Sequence, residues 1–189
     1  MSIHRPVLGL LLALCPAATA LAQENRDDLT PLDISYTTTV AEDRLSLHVE
    51  MTVQNVSRPS VHLSMPAWSP GAYRIGNYGR RVDELRARGA QGIELEITQM
   101  DPGSWSIETG GQQTITVGYD VPAPRRGRFN RGSDDDGPVT GLRVSGPSTY
   151  LYVRGAKALP VSSRYEIPPD WRIANGLLPG GDEGSDIFY

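Results

Sequence analysis

From residue 34 onward, apolar and polar residues alternate along most of the chain. Ile34, Tyr36, Thr38 and Val40 are separated by Ser35, Thr37 and Thr39, a period of two that predicts a strand with one buried face. Leu45, Leu47, Val49, Met51 and Val53 repeat the pattern, with Ser46, His48, Glu50 and Thr52 on the other face. The segment Gln54 to Pro59 has turn composition, and Val61, Leu63 and Met65 begin a further strand. These two strands are expected to form a hairpin. Ile93, Leu95 and Ile97 alternate with Glu94, Glu96 and Thr98, predicting a half-exposed strand before the Asp101-Pro102-Gly103 turn. Trp105 with Ile107, then Ile115, Val117 and Tyr119, then Tyr150 to Val153, and then Val161 to Ile167 give the remaining strands. Val82 to Ala87 fits either a short strand or one helical turn. With many short strands, turn residues between them and no amphipathic helical window, the expected fold is all-β, an antiparallel β-sandwich.

The first residues follow another pattern. Met1 to Arg5 is a short basic start, Val7 to Leu14 is an apolar run, and Ala20-Leu21-Ala22 has the small-x-small form of a cleavage site. The run is shorter than the roughly 20 residues a membrane span needs. The expectation is a cleavable signal peptide over 1–22, with cleavage near Ala22 and a secreted or periplasmic mature chain. Acylation at Cys15 is the alternative, but bulky Leu14 stands where a small residue is expected. A flexible leader is expected over 23–31, the β domain over 32–178, and a truncated tail or the start of an absent catalytic domain over 179–189.

Composition narrows the chemistry. Cys15 is the only cysteine among 189 residues and lies in the leader region, so the mature domain is expected to have neither a disulfide nor a thiolate nucleophile. The net charge is -4, and Lys157 is the only lysine. Arg125-Arg126-Gly127-Arg128 and Asp134-Asp135-Asp136 lie close together in the longest irregular stretch, Val121 to Ser148. Such mixed runs read as solvated loop surface rather than a nucleic-acid patch. No transmembrane span and no nucleic-acid partner are expected.

The sequence contains no His-Glu-x-x-His, no Gly-x-Ser-x-Gly and no phosphate-cradling glycine loop. Alternation puts His48, Glu50 and His62 on one face of the expected hairpin, where two histidines and a carboxylate could hold a zinc ion. Outward-facing polar residues on an amphipathic hairpin explain them more simply. No metal site and no cofactor are expected. Asn55-Val56-Ser57 is a formal glycosylation acceptor.

Special residues concentrate in Met65-Pro66-Ala67-Trp68-Ser69-Pro70-Gly71-Ala72-Tyr73-Arg74-Ile75. Pro66 ends a strand because it has no N–H to give to the ladder, and Pro70-Gly71 suits the centre of a type II turn. Trp68 and Tyr73 flank that turn, each with a large apolar face and a polar tip. This loop, with Tyr78-Gly79-Arg80-Arg81-Val82 after it, resembles the N-terminal domain of the glycyl aminopeptidase-type zinc metallopeptidases, metallopeptidase family number sixty-one. The hairpin-like Val49 to Ser57, Asp101-Pro102-Gly103-Ser104-Trp105, Tyr150-Leu151-Tyr152-Val153 and Pro168-Pro169-Asp170-Trp171 through Gly176-Leu177 follow in the family's order. The stretch Pro124 to Ser148 departs from it, being polar where the family is more aromatic.

In that family the domain precedes a thermolysin-like catalytic domain whose His-Glu-x-x-His motif is absent from this sequence. The resemblance therefore implies a non-catalytic domain that docks on, and helps wall the substrate cleft of, a catalytic peptidase domain. Trp68, Tyr73 and Arg74 are the candidate binding or docking residues. A stand-alone periplasmic peptide-binding or adaptor module is the alternative.

Overall fold

A computed structural model describes residues 31–71, 73–123, 141–180 and 187–189. The expected signal peptide, its cleavage site and the clusters at 125–128 and 134–136 lie outside the described residues. Among the described residues, ten strands form two sheets: β1 (Asp33–Val40), β2 (Ser46–Gln54), β3 (Ser60–Ser64), β4 (Asp83–Arg88), β5 (Ile97–Asp101), β6 (Ser104–Glu108), β7 (Thr114–Pro122), β8 (Tyr152–Val153), β9 (Val161–Glu166) and β10 (Ile187–Phe188). One sheet has the order β10-β9-β1-β2-β7-β4 and the other β5-β6-β3-β8. All the pairings are antiparallel except that of β1 with β9. The all-β, mostly antiparallel two-sheet architecture is the one the alternation predicts.

The core is built from the apolar positions of that alternation. Leu47, Val49, Met51 and Val53 of β2 and Ile115, Val117 and Tyr119 of β7 are 0–1 % exposed, as are Val61 and Leu63 of β3 and Ile107 of β6. Full burial of such a side chain contributes roughly 1.5–3 kcal/mol, so this double row supplies most of the hydrophobic drive.

Leu45, expected on the apolar face of β2, lies before that strand and is 62 % exposed, and two larger expectations fail where the chain changes sheet. β2 and β3 do not form a hairpin. β1 and β7 already occupy both edges of β2, leaving no ladder for β3. The chain instead crosses through residues 55–59, and β3 pairs with β6 and β8. Asn55 turns the corner at φ 61, buried Val56 donates its N–H to the Gln113 carbonyl at 3.0 Å, and the Thr109 hydroxyl donates to the Arg58 carbonyl at 2.8 Å.

The strand expected over 93–98 starts later, at Ile97, because 93–96 is a second crossing between the sheets. Leu95 donates to the Ala87 carbonyl beside the first sheet, while the Glu96 carbonyl accepts from Glu108 in the second. Ile93 is left 51 % exposed. The ambiguous stretch Val82 to Ala87 resolves as β4, an edge strand with a register shift between Asp83 and Arg86 and Glu84 at φ 49.

Candidate functional site

The loop after β3 is a closed ring. Met65 is buried, and its N–H donates to the Gly103 carbonyl at 2.8 Å. The Gly76 N–H donates to the Ala67 carbonyl at 2.7 Å, so residues 67 to 76 leave and return at one point. Gly71 has φ 79, as the third residue of a type II turn requires. Ser69 and Tyr78 share a hydroxyl–hydroxyl hydrogen bond of 3.2 Å across the ring, and Arg81 lies over the Tyr78 ring at 5.8 Å.

Within this ring the side chains of greatest chemical interest face solvent. Trp68 is 49 % exposed, Tyr73 97 % and Ile75 66 %, and Arg74 is also exposed. Tyr73 adopts φ 50, a left-handed conformation that costs a side-chain-bearing residue about 1–2 kcal/mol. All three residues singled out from the sequence, Trp68, Tyr73 and Arg74, thus sit on one exposed loop. Its apolar groups do not contribute to the core.

The three residues weighed as zinc ligands are separated by the sandwich itself. His48 and Glu50 lie on the outer face of the first sheet, while His62 belongs to the second sheet and is also exposed. Outward faces of packed sheets point away from each other, so these side chains cannot converge on one ion. His48 Nδ1 instead meets the Asp120 carboxylate at 2.7 Å, across a shallow charged patch shared with Glu50, Glu84, Arg86 and Arg88. Gly118 faces the imidazole, and a Cβ there would lie in ordinary contact, 3.5 Å from His48 Cε1. Among the described residues no group of three or more His, Cys, Asp or Glu side chains is placed to hold a metal ion.

Sequence reasoning missed two features that occur together. The first is a cluster of three tyrosines, two buried and one, Tyr150, partly buried. Tyr36 donates its hydroxyl to the Leu151 carbonyl at 2.8 Å. The Tyr119 hydroxyl donates to the Thr149 carbonyl and accepts from the Leu151 N–H, both at 3.0 Å. Tyr150 stacks edge-on against Tyr36 at 5.2 Å and shares a 3.1 Å hydrogen bond with Thr38. Burial pushes all three phenols well above the usual tyrosine range. They hold the segment 149–151, which has little ladder pairing of its own, against the sandwich.

The second is a groove of about 740 Å³ beside this cluster, lined by Val40 and Leu47 of the first sheet and by residues of 142–152, 161–167 and 171–177. Trp171 lines it. In sequence, Trp171 stood out only within the segment Pro168-Pro169-Asp170-Trp171 that carries the family resemblance; that segment is a turn, with the Trp171 N–H donating to the Pro168 carbonyl at 2.9 Å. No local pattern could have shown a groove drawn from so many separate segments.

The model of the family described as "Peptidase M61 N-terminal domain" matches residues 34–189. No curated protein sequence matches the chain. Among solved structures, an aminopeptidase N family protein from Idiomarina loihiensis shares the fold, with a TM-score of 0.65 and 23 % sequence identity. The match covers 82 % of this chain and 26 % of that one. The two-sheet architecture and the family match over nearly all of the β domain agree, and the chain belongs to the peptidase M61 family through that family's N-terminal domain.

Proposed function

We propose that this domain is a non-catalytic β module that docks on a zinc-peptidase catalytic domain and helps wall its substrate cleft. The observation that carries the reading is the closed loop 67–76, which spends exposed apolar surface and backbone strain without serving the core. Exposed aromatic groups on a rigid loop are typical binding anchors. Arg74 supplies a planar donor for a carboxylate on the partner or its substrate. In this reading the module holds no metal or cofactor of its own, and works outside the cytoplasm after residues 1–22 are removed.

The test has two arms. The chain alone, supplied with zinc and glycyl peptides, is expected to release no amino acid; zinc-dependent release would sink the reading. Mixed with the catalytic portion of a family peptidase, it is expected to bind. Trp68→Ala or Tyr73→Ala should weaken that binding about tenfold or more without changing the circular dichroism spectrum.

A second reading is favoured by the apolar groove near Trp171: a peptide-binding module that acts without a catalytic partner. Saturable binding of short peptides by the isolated chain supports it.

A further inference from the structure

The groove combines three properties. Its walls are apolar and aromatic, with Val40, Leu47, Tyr165, Ile173 and Leu177 among them. Its volume of about 740 Å³ falls within the roughly 300–1,000 Å³ typical of small-ligand sites. Among the described residues, the charged side chains lining it are Arg143 and Arg172, with no acid. The acid next in sequence, Asp170, is already held by Arg44 at 2.9 Å.

The third property is an unmet hydrogen bond. Trp171 is 9 % exposed, and its buried Nε1–H has no partner among the described residues. A buried donor left unpaired costs about 1–3 kcal/mol, and a buried indole N–H usually finds an acceptor. The ring is held in place, with Arg44 over it at 5.2 Å and the Arg172 guanidinium donating to the Trp171 carbonyl at 3.1 Å.

These properties select a ligand chemistry. A fatty acid offers an apolar chain and a carboxylate, but no acceptor along its length for the indole. A short apolar peptide offers side chains for the walls, carbonyl oxygens for the Trp171 N–H, and a terminal carboxylate for arginine, whose guanidinium matches it in a two-point contact. We propose that the groove binds the C-terminal end of a short apolar peptide, with a peptide carbonyl on Trp171 Nε1–H and the terminal carboxylate at Arg172. Reaching the covered N–H takes a side-chain adjustment at the rim, a common change when interfaces form. The proposal rests on the peptide-binding reading and gives it a site distinct from the Trp68 loop.

The test titrates the 189-residue chain by calorimetry with acetyl-Leu-Val-Leu-Phe bearing a free carboxylate, with its C-terminal amide, and with dodecanoate. The acid peptide is expected to bind saturably, one to one, in the micromolar range. The amide should bind about tenfold more weakly. Trp171→Phe keeps the ring and removes the donor; Arg172→Gln changes an exposed residue and keeps the test valid if the tryptophan variant folds poorly. Each should weaken binding about tenfold while near-ultraviolet circular dichroism of the arginine variant stays unchanged, and Trp68→Ala should have no effect. Peptide binding that is lost in Trp68→Ala and indifferent to both groove variants keeps the peptide-binding reading and overturns the groove. Equal affinity for acid and amide overturns the carboxylate assignment, and tighter binding of dodecanoate overturns the peptide. No saturable binding of either peptide rejects both the groove and the reading beneath it.

Discussion

The tyrosine cluster and the Trp68–Ile75 loop use similar residues to opposite ends. Tyr36 and Tyr119 are enclosed and Tyr150 is partly buried, and each hydroxyl has a named partner on segment 149–151 or on Thr38. Trp68 and Tyr73 face water, and Tyr73 holds an unfavourable φ. The first arrangement stabilises the fold, because buried phenols exchange water for backbone partners. The second carries backbone strain at Tyr73 and adds nothing to the core, as the proposed docking role would require. An aromatic residue in this chain is therefore assigned by what its polar end meets, and its residue type alone does not decide the role.

The largest test of this contrast is alkaline titration. The three phenols have raised pKa values, so the folded chain keeps protons that the unfolded chain releases near pH 10. The stability linked to them is full below about pH 10 and is lost as pH rises above it, by about 1.4 kcal/mol per pH unit for each tyrosine and about 4 kcal/mol per unit for the cluster. Urea midpoints measured between about pH 9 and pH 11 should fall steeply. A flat profile would mean that the cluster is open to water.

A single hydroxyl comes next. Tyr119→Phe leaves the Thr149 carbonyl and the Leu151 N–H buried without their partner. It should cost about 2–4 kcal/mol in urea denaturation. A cost below about 0.5 kcal/mol would show that segment 149–151 is held by packing alone.

The smallest effect is expected on the loop and has the opposite sign. Tyr73→Gly relieves the left-handed strain of about 1–2 kcal/mol, against an entropic cost of roughly 0.5–1 kcal/mol. The net result should be a gain of about 0.5 kcal/mol in stability, together with weaker binding of a catalytic partner. A loss of more than about 1 kcal/mol would place Tyr73 among the structural tyrosines.

Much of the sandwich was legible because a strand with one buried face writes its own period. Val49, Met51 and Val53, or Ile115, Val117 and Tyr119, identify their strands and their inward faces without help from the rest of the chain. The docking candidates were legible for another reason: Pro66, Pro70 and Gly71 carry turn chemistry that is entirely local. Pairing was not legible. β3 follows β2 across a hairpin-like connection, and only the occupation of both β2 edges by β1 and β7 sends it to the other sheet. Ile93 fits a strand pattern that the crossing at 93–96 overrides. Likewise, His48 and His62 read as neighbours until the two sheets turn their outer faces apart.

By itself the sequence determined most of the core strands and their apolar faces, and that a turn-rich aromatic loop follows β3, while it left β4 open and gave no sign of β10. Those properties depend on contacts between residues a few positions apart. Tertiary structure alone decided that β9 returns to lie parallel to β1, that Tyr36 and Tyr119 hold segment 149–151, and that a groove lined in part by Trp171 opens beside them. All of these join residues far apart in the chain, 115 positions where Tyr36 meets Leu151 and 32 where Tyr119 does. No local pattern records such a meeting, because the energy that selects it exists only once the sheets have packed.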